Sequence, residues 1–73
     1  LGRFRRLSGK EVCTILANNS FVKIIQKGSH IIMQKAVGNS TITVPIPNHK
    51  EIKIGTLQSI IRQSGIPRNE FEV

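Results

Sequence analysis

Phe21-Val22-Lys23-Ile24-Ile25-Gln26-Lys27-Gly28-Ser29-His30-Ile31-Ile32-Met33-Gln34-Lys35 is the stretch that decides the fold. Two runs rich in β-branched and apolar residues, Phe21 to Lys27 and His30 to Lys35, flank the pair Gly28-Ser29. A two-residue gap that opens on glycine is the sequence form of a tight β-hairpin. Val37-Gly38-Asn39-Ser40 gives a second turn signal, and Thr41-Ile42-Thr43-Val44 then alternates polar with apolar, as a strand with one wet face does. Pro45-Ile46-Pro47 is expected to end that strand, because neither proline can donate to a ladder. Three strands on short turns make an antiparallel meander.

Outward from the strands, both flanks read as helix. Upstream, Ser8-Gly9-Lys10-Glu11 fits a capping box, with Leu7 and Val12 placed as a hydrophobic staple. Val12, Ile15 and Leu16 form one stripe. Asn18-Asn19 is expected to supply the left-handed residue that stops the helix. Cys13 lies beside the stripe as a small, buried or half-buried side chain with no partner spaced to activate it. Downstream, Ile54 to Ser64 predicts a second helix with Ile54, Leu57, Ile60 and Ile61 on its inner face, a terminating Gly65 and Pro67 preventing resumption. Arg68 to Val73 is expected to add one turn, with Phe71 docking on the body. Both helices must bury a stripe, and packing them on one sheet face does so. The expected fold is an α+β two-layer sandwich, α-β-β-β-α, with the other sheet face left to solvent or a partner.

Seventy-three residues make one domain, here 8–73, preceded by residues 1–7. That leading segment is basic and aperiodic, and lacks an initiating Met; it is expected to be a flexible arm left by trimming or tagging. A chain this short buries only about 60% of its unfolded surface. With one cysteine there is no intramolecular disulfide and no Cys/His metal set, which favours a reducing, cytoplasmic setting. No leader pattern and no membrane-spanning run are present. The absence of Trp and Tyr argues against a binder built on stacking aromatics. There is no aspartate, and the four glutamates are dispersed, so paired-carboxylate chemistry and a carboxylate metal site lack their residues. Nucleotide-cradling glycine motifs are missing too. No metal and no cofactor are expected.

Charge is lopsided. The net charge is +7, and residues 1–35 hold seven cations against Glu11 alone. Such asymmetry is the footprint of a polyanionic partner or of a solvated basic surface. His30 follows Lys27-Gly28-Ser29 at a hairpin end, where turn amides, the Ser29 hydroxyl and the Lys27 ammonium could hold a phosphate. An imidazole there fits RNA cleavage by internal transesterification, which needs a base for the 2′-hydroxyl proton and donors for charge developing on phosphorus. On spacing alone the favoured reading is a half-buried strand histidine, or a phosphate-contacting one, with no proton-transfer task. His49, in Pro47-Asn48-His49-Lys50, reads as an exposed or helix-entry residue, and as a second acid or base only if the fold brings it near His30.

Ser8-Gly9-Lys10-Glu11-Val12, Phe21-Val22, Gln26-Lys27-Gly28-Ser29-His30, Val44-Pro45, Gly55-Thr56-Leu57-Gln58-Ser59-Ile60-Ile61-Arg62-Gln63-Ser64-Gly65-Ile66 and Glu70-Phe71 together resemble the HicA (YcfA-like) toxin family, from Ser8 to Phe71. The resemblance implies a double-stranded-RNA-binding-domain-like fold and a ribosome-independent mRNA interferase of a type II toxin–antitoxin module. It also implies that a HicB-like antitoxin covers the active site. The family's catalytic histidine falls on His30, its adjoining motif on Gly28 and Ser29, and its preceding basic position on Lys27. Lys10, Lys35 and Arg62 are the further cations expected to contact RNA. The chain departs from the family at Ser20, where glycine is common, at Ile54, where Lys or Pro is usual, and in the apolar Ile31-Ile32-Met33. A non-catalytic RNA-binding module and a protein-interaction domain of the same fold are the alternatives.

Overall fold

The computed structural model describes residues 3–73. Each of the two hairpins turns on a glycine at positive φ, Gly28 at 59° and Gly38 at 58°, followed by one residue at negative φ. That is the backbone pattern of the two-residue turn whose twist matches paired strands. The turns join β1 (Val22–Lys27), β2 (His30–Val37) and β3 (Ser40–Pro47) into an antiparallel sheet of order β1-β2-β3. α1 (Gly9–Ala17) precedes the sheet, and α2 (Ile54–Ser64) and a 3-10 turn, Arg68–Phe71, follow it.

Both helices lie on one face. Met33 pairs with Val44 and Ile31 with Ile46, and all four are buried. Because cross-strand partners share a face, this is the inner one, packed on Val12 and Leu16 of α1 and Leu57 and Ile60 of α2. His30, Ile32, Gln34 and their partners form the opposite face, which no helix among the described residues covers. The expected two-layer α+β sandwich is therefore the observed one.

Several local expectations are corrected. β3 runs through Pro45 and Pro47. The N–H of Asn48 points inward and donates to the Ser29 carbonyl at 2.6 Å. N–H groups alternate along a strand, so Pro45 and Pro47 occupy the outward positions of this edge strand, where no donor is missed. Asn18 keeps right-handed helical angles, and Ser20, at φ 73°, makes the left-handed step instead. Asn19 is used through its side chain, whose Nδ2 donates to the Ile15 carbonyl and to Glu70 Oε1. Ile54 is 54% exposed, so the inner face of α2 begins at Leu57.

The segment expected as a flexible arm is held in place over its described part. Phe4 bridges Glu72; the N–H of Arg5 donates to the Phe71 carbonyl and that of Val73 to Arg3, both at 2.8 Å. Arg68 stacks on the Phe4 ring at 4.3 Å, and Leu7 is 1% exposed, as a staple partner of Val12 must be. A basic sequence without periodicity does not reveal pairing with a remote strand; residues 1 and 2 lie outside the described range.

Candidate functional site

At the tip of the first hairpin, β1 and β2 pair Lys27 with His30, and β2 and β3 pair His30 with Pro47. His30 therefore stands on the helix-free sheet face between a lysine and a proline, and it is exposed. Gly28 has open space around it, so its positive φ is what requires glycine.

Two main-chain hydrogen bonds fix this tip to the rest of the fold. Asn48 binds the Ser29 carbonyl as described, and the N–H of Gly9 donates to the His49 carbonyl at 2.9 Å. The start of α1 thus lies directly on the loop that follows β3. A Cβ on Gly9 would stand 2.1 Å from the Pro47 carbonyl oxygen, so only glycine permits the contact. The approach places Lys10 with Ser8, Asn48, His49 and Lys50 around a shallow depression of about 240 Å³.

Lys27, Lys10 and Lys50 give this end of the molecule its cations. One nearby carboxylate, Glu11, is engaged in the predicted capping box: Ser8 N–H donates to Glu11 Oε1 at 2.8 Å, and Glu11 N–H to Ser8 Oγ at 3.1 Å. Its carboxyl is held below the ordinary value chiefly by the Ser8 backbone N–H, then by the Ser8 hydroxyl, with a smaller contribution from Arg5. Among the described residues, no three His, Cys, Asp or Glu side chains converge. Imidazole, ammonium, hydroxyl and amide groups are what this surface can bring to a phosphodiester.

Of the residues singled out from sequence, the fold brings Lys27, Gly28, Ser29, His30 and Lys10 to one end. It does not bring the other two there. Lys35 lies on the inner side of β2, paired with Ile42, its ammonium 5.9 Å from the Phe21 ring centroid. Arg62 donates to Ser59 Oγ and flanks Phe4 and Arg68. Asn48 and Lys50 were not singled out, and His49 only conditionally; it stands two residues beyond the partner of His30. The signal for this convergence was Gly9, since glycine at the start of a well-capped helix sacrifices helix propensity unless something presses on it.

A family model described as the HicA toxin of bacterial toxin–antitoxin modules matches residues 9–66. The chain belongs to the HicA toxin family. The match takes in both helices, the whole sheet and the hairpin tip. Comparison with individual curated proteins gives no match. As a HicA protein, the chain is the toxin side of a toxin–antitoxin module, and an antitoxin is its counterpart. Among the described residues, no helix is long and apolar enough to cross a membrane.

Proposed function

We propose that this HicA protein is a cytoplasmic endoribonuclease that cleaves mRNA without a metal ion, with His30 as general acid and base. The observation that carries the proposal is the exposed His30 imidazole paired across the hairpin with Lys27, at the end of the fold where Lys10 and Lys50 gather. His30 takes the proton of a ribose 2′-hydroxyl, and the freed oxygen attacks the adjacent phosphorus. The P–O5′ bond breaks, leaving a 2′,3′-cyclic phosphate, and the proton passes from the imidazolium, directly or through water, to the departing 5′-oxygen. Lys27, the Ser29 hydroxyl and the tip amides meet the charge that develops on phosphorus. One ring doing both proton transfers makes a slow enzyme. A HicB-like antitoxin is the partner that silences it.

Purified protein should cut single-stranded RNA in EDTA. Removing a general base costs about 10²–10⁴ in rate, so His30→Ala should lose that much while keeping its circular dichroism and melting temperature. A His30→Ala protein that cuts as fast as the parent refutes the mechanism. Salt-sensitive RNA binding without any cleavage would support the non-catalytic module instead.

A further inference from the structure

A groove between α1 and β1 shares only Lys10 with the site above. It encloses about 460 Å³, within the ~300–1,000 Å³ typical of ligand sites. Cys13, Ala17, Phe21, Ile31 and Met33 form an apolar floor. Lys10 stands on the helix rim, Lys23 and Gln26 on the strand rim, and among the described residues no carboxylate lines the groove. Burial pushes the Cys13 thiol up, only partly offset by the Lys23 ammonium, so the floor stays uncharged at neutral pH.

The outer side of the groove is the free edge of the sheet. All six residues of β1 are exposed, and among the described residues no strand pairs with that edge. The register slips between Lys23 and Ile25, which form pairs with Met33 and Ile32. This bulge leaves Lys23 and Gln26 as the groove-side residues, three apart instead of two, and opens the floor between them. Ile25, paired with Ile32, then lies exposed on the other face.

Unpaired edge N–H and C=O groups are a template for an incoming strand. A second copy of this chain is a poor occupant: it would bring Lys23 and Lys27 of both molecules to one seam, each molecule carrying +7. An acidic strand meets every feature. We propose that the α1–β1 groove is a docking site for an extended acidic segment of the partner protein. The segment lies along the edge of β1. Its groove-facing positions are apolar at the centre and carboxylate at the ends, where they reach Lys10 and Lys23. The inference rests on the toxin–antitoxin assignment only in naming the partner as the antitoxin; the groove and its charge stand without it.

The probe is the labelled peptide Glu-Thr-Val-Thr-Val-Thr-Glu, and the control is Lys-Thr-Val-Thr-Val-Thr-Lys, each titrated into full-length protein and followed by amide NMR and hydrogen exchange. The acidic peptide should shift the resonances of β1 and of the α1 groove face and slow exchange at the β1 edge. The lysine peptide should bind about tenfold more weakly, the scale of reversing a rim charge pair. Lys23→Glu should invert that preference. Ala17→Arg, at an exposed position lining the floor, should block binding of both peptides while the spectrum stays folded. Lys53→Glu changes net charge equally but lies outside the groove, and should leave affinity within about twofold. Equal affinity for the two peptides, indifference to Lys23→Glu, or shifts confined to β3 or the Lys27–His30 tip would overturn the proposal. RNA cleavage by the parent is scored separately: its absence with groove binding intact refutes the ribonuclease reading and leaves this one standing.

Discussion

Replacing Gly9 by alanine is the sharpest test of how the site is assembled. On an ordinary helix the change would stabilise by up to about 1 kcal/mol, since glycine is the poorer helix former. Here the added methyl would sit 2.1 Å from the Pro47 carbonyl oxygen and 3.0 Å from the Asn48 Cα, so helix and loop must separate by more than 1 Å. Overpacking of this kind costs about 1–3 kcal/mol, and losing the Gly9–His49 hydrogen bond about another 1 kcal/mol. Set against the helix-propensity gain, the net loss is about 2 kcal/mol, which in a domain of this size lowers the melting temperature by about 10 °C. Gly55 is the control. It lies in the first turn of α2 with nothing within 4 Å of a built Cβ, so Gly55→Ala should be neutral or gain up to about 1 kcal/mol. Paired urea and thermal melts of the two variants decide the matter. If Gly9→Ala is as stable as the parent, or more so, the close approach of α1 to the β3–α2 loop is wrong, and with it the gathering of Lys10, His49 and Lys50 beside the hairpin tip.

Ser20→Gly should raise stability by about 0.5–1 kcal/mol in urea melts, as relief of the left-handed strain exceeds the added chain entropy; a loss would contradict the φ of 73°. Ser8→Ala should cost about 1 kcal/mol by removing the helix cap. Glu11 has a lowered carboxyl value in the folded state, so its contribution is present above the unfolded carboxylate value of about 4.3 and fades as pH falls through the folded one. Melts of Glu11→Gln and the parent should therefore differ at pH 7 and converge only once the pH has fallen below the folded carboxyl value. Cys13 is raised by burial, so at pH ~8 it should react with iodoacetamide more slowly than a free cysteine; faster alkylation would mean the thiol is activated.

The strands, both glycine turns and the capped first helix were legible because each is written in local chemistry: β-branched runs, a glycine where φ must be positive, a hydroxyl three residues before a glutamate. What escaped was everything set by segments distant along the chain. Leu7 already pointed to a packed arm as a staple residue, but the pairing of Arg3 and Arg5 with Val73 and Phe71 has no local signature. Pro45 and Pro47 read as a stop because sequence does not tell an edge strand from a central one. Asn18-Asn19 outcompeted Ser20 on propensity alone, although glycine is common at the latter position in the family it resembles, and that departure marked the residue that takes the left-handed angle. At the site, the hairpin gave Lys27 and His30 together, since their pairing follows from a two-residue turn. Lys35 and Arg62 were chosen for their charge, and a charge carries no information about which face it occupies.

Beyond its strand pairing, the tip that presents His30 is tethered through the main chain by the Asn48 amide to Ser29, and the Gly9 amide holds the following loop at His49. Tethers of that kind are indifferent to side-chain identity. Ser29, Asn48 and His49 can be exchanged one at a time for other L-residues without moving the imidazole, and any change in turnover then reports chemistry and not architecture. Asn48→Pro is the exception: it deletes the amide that holds Ser29 and should loosen the tip while the His30 imidazole, the Lys27 ammonium and the Ser29 hydroxyl survive.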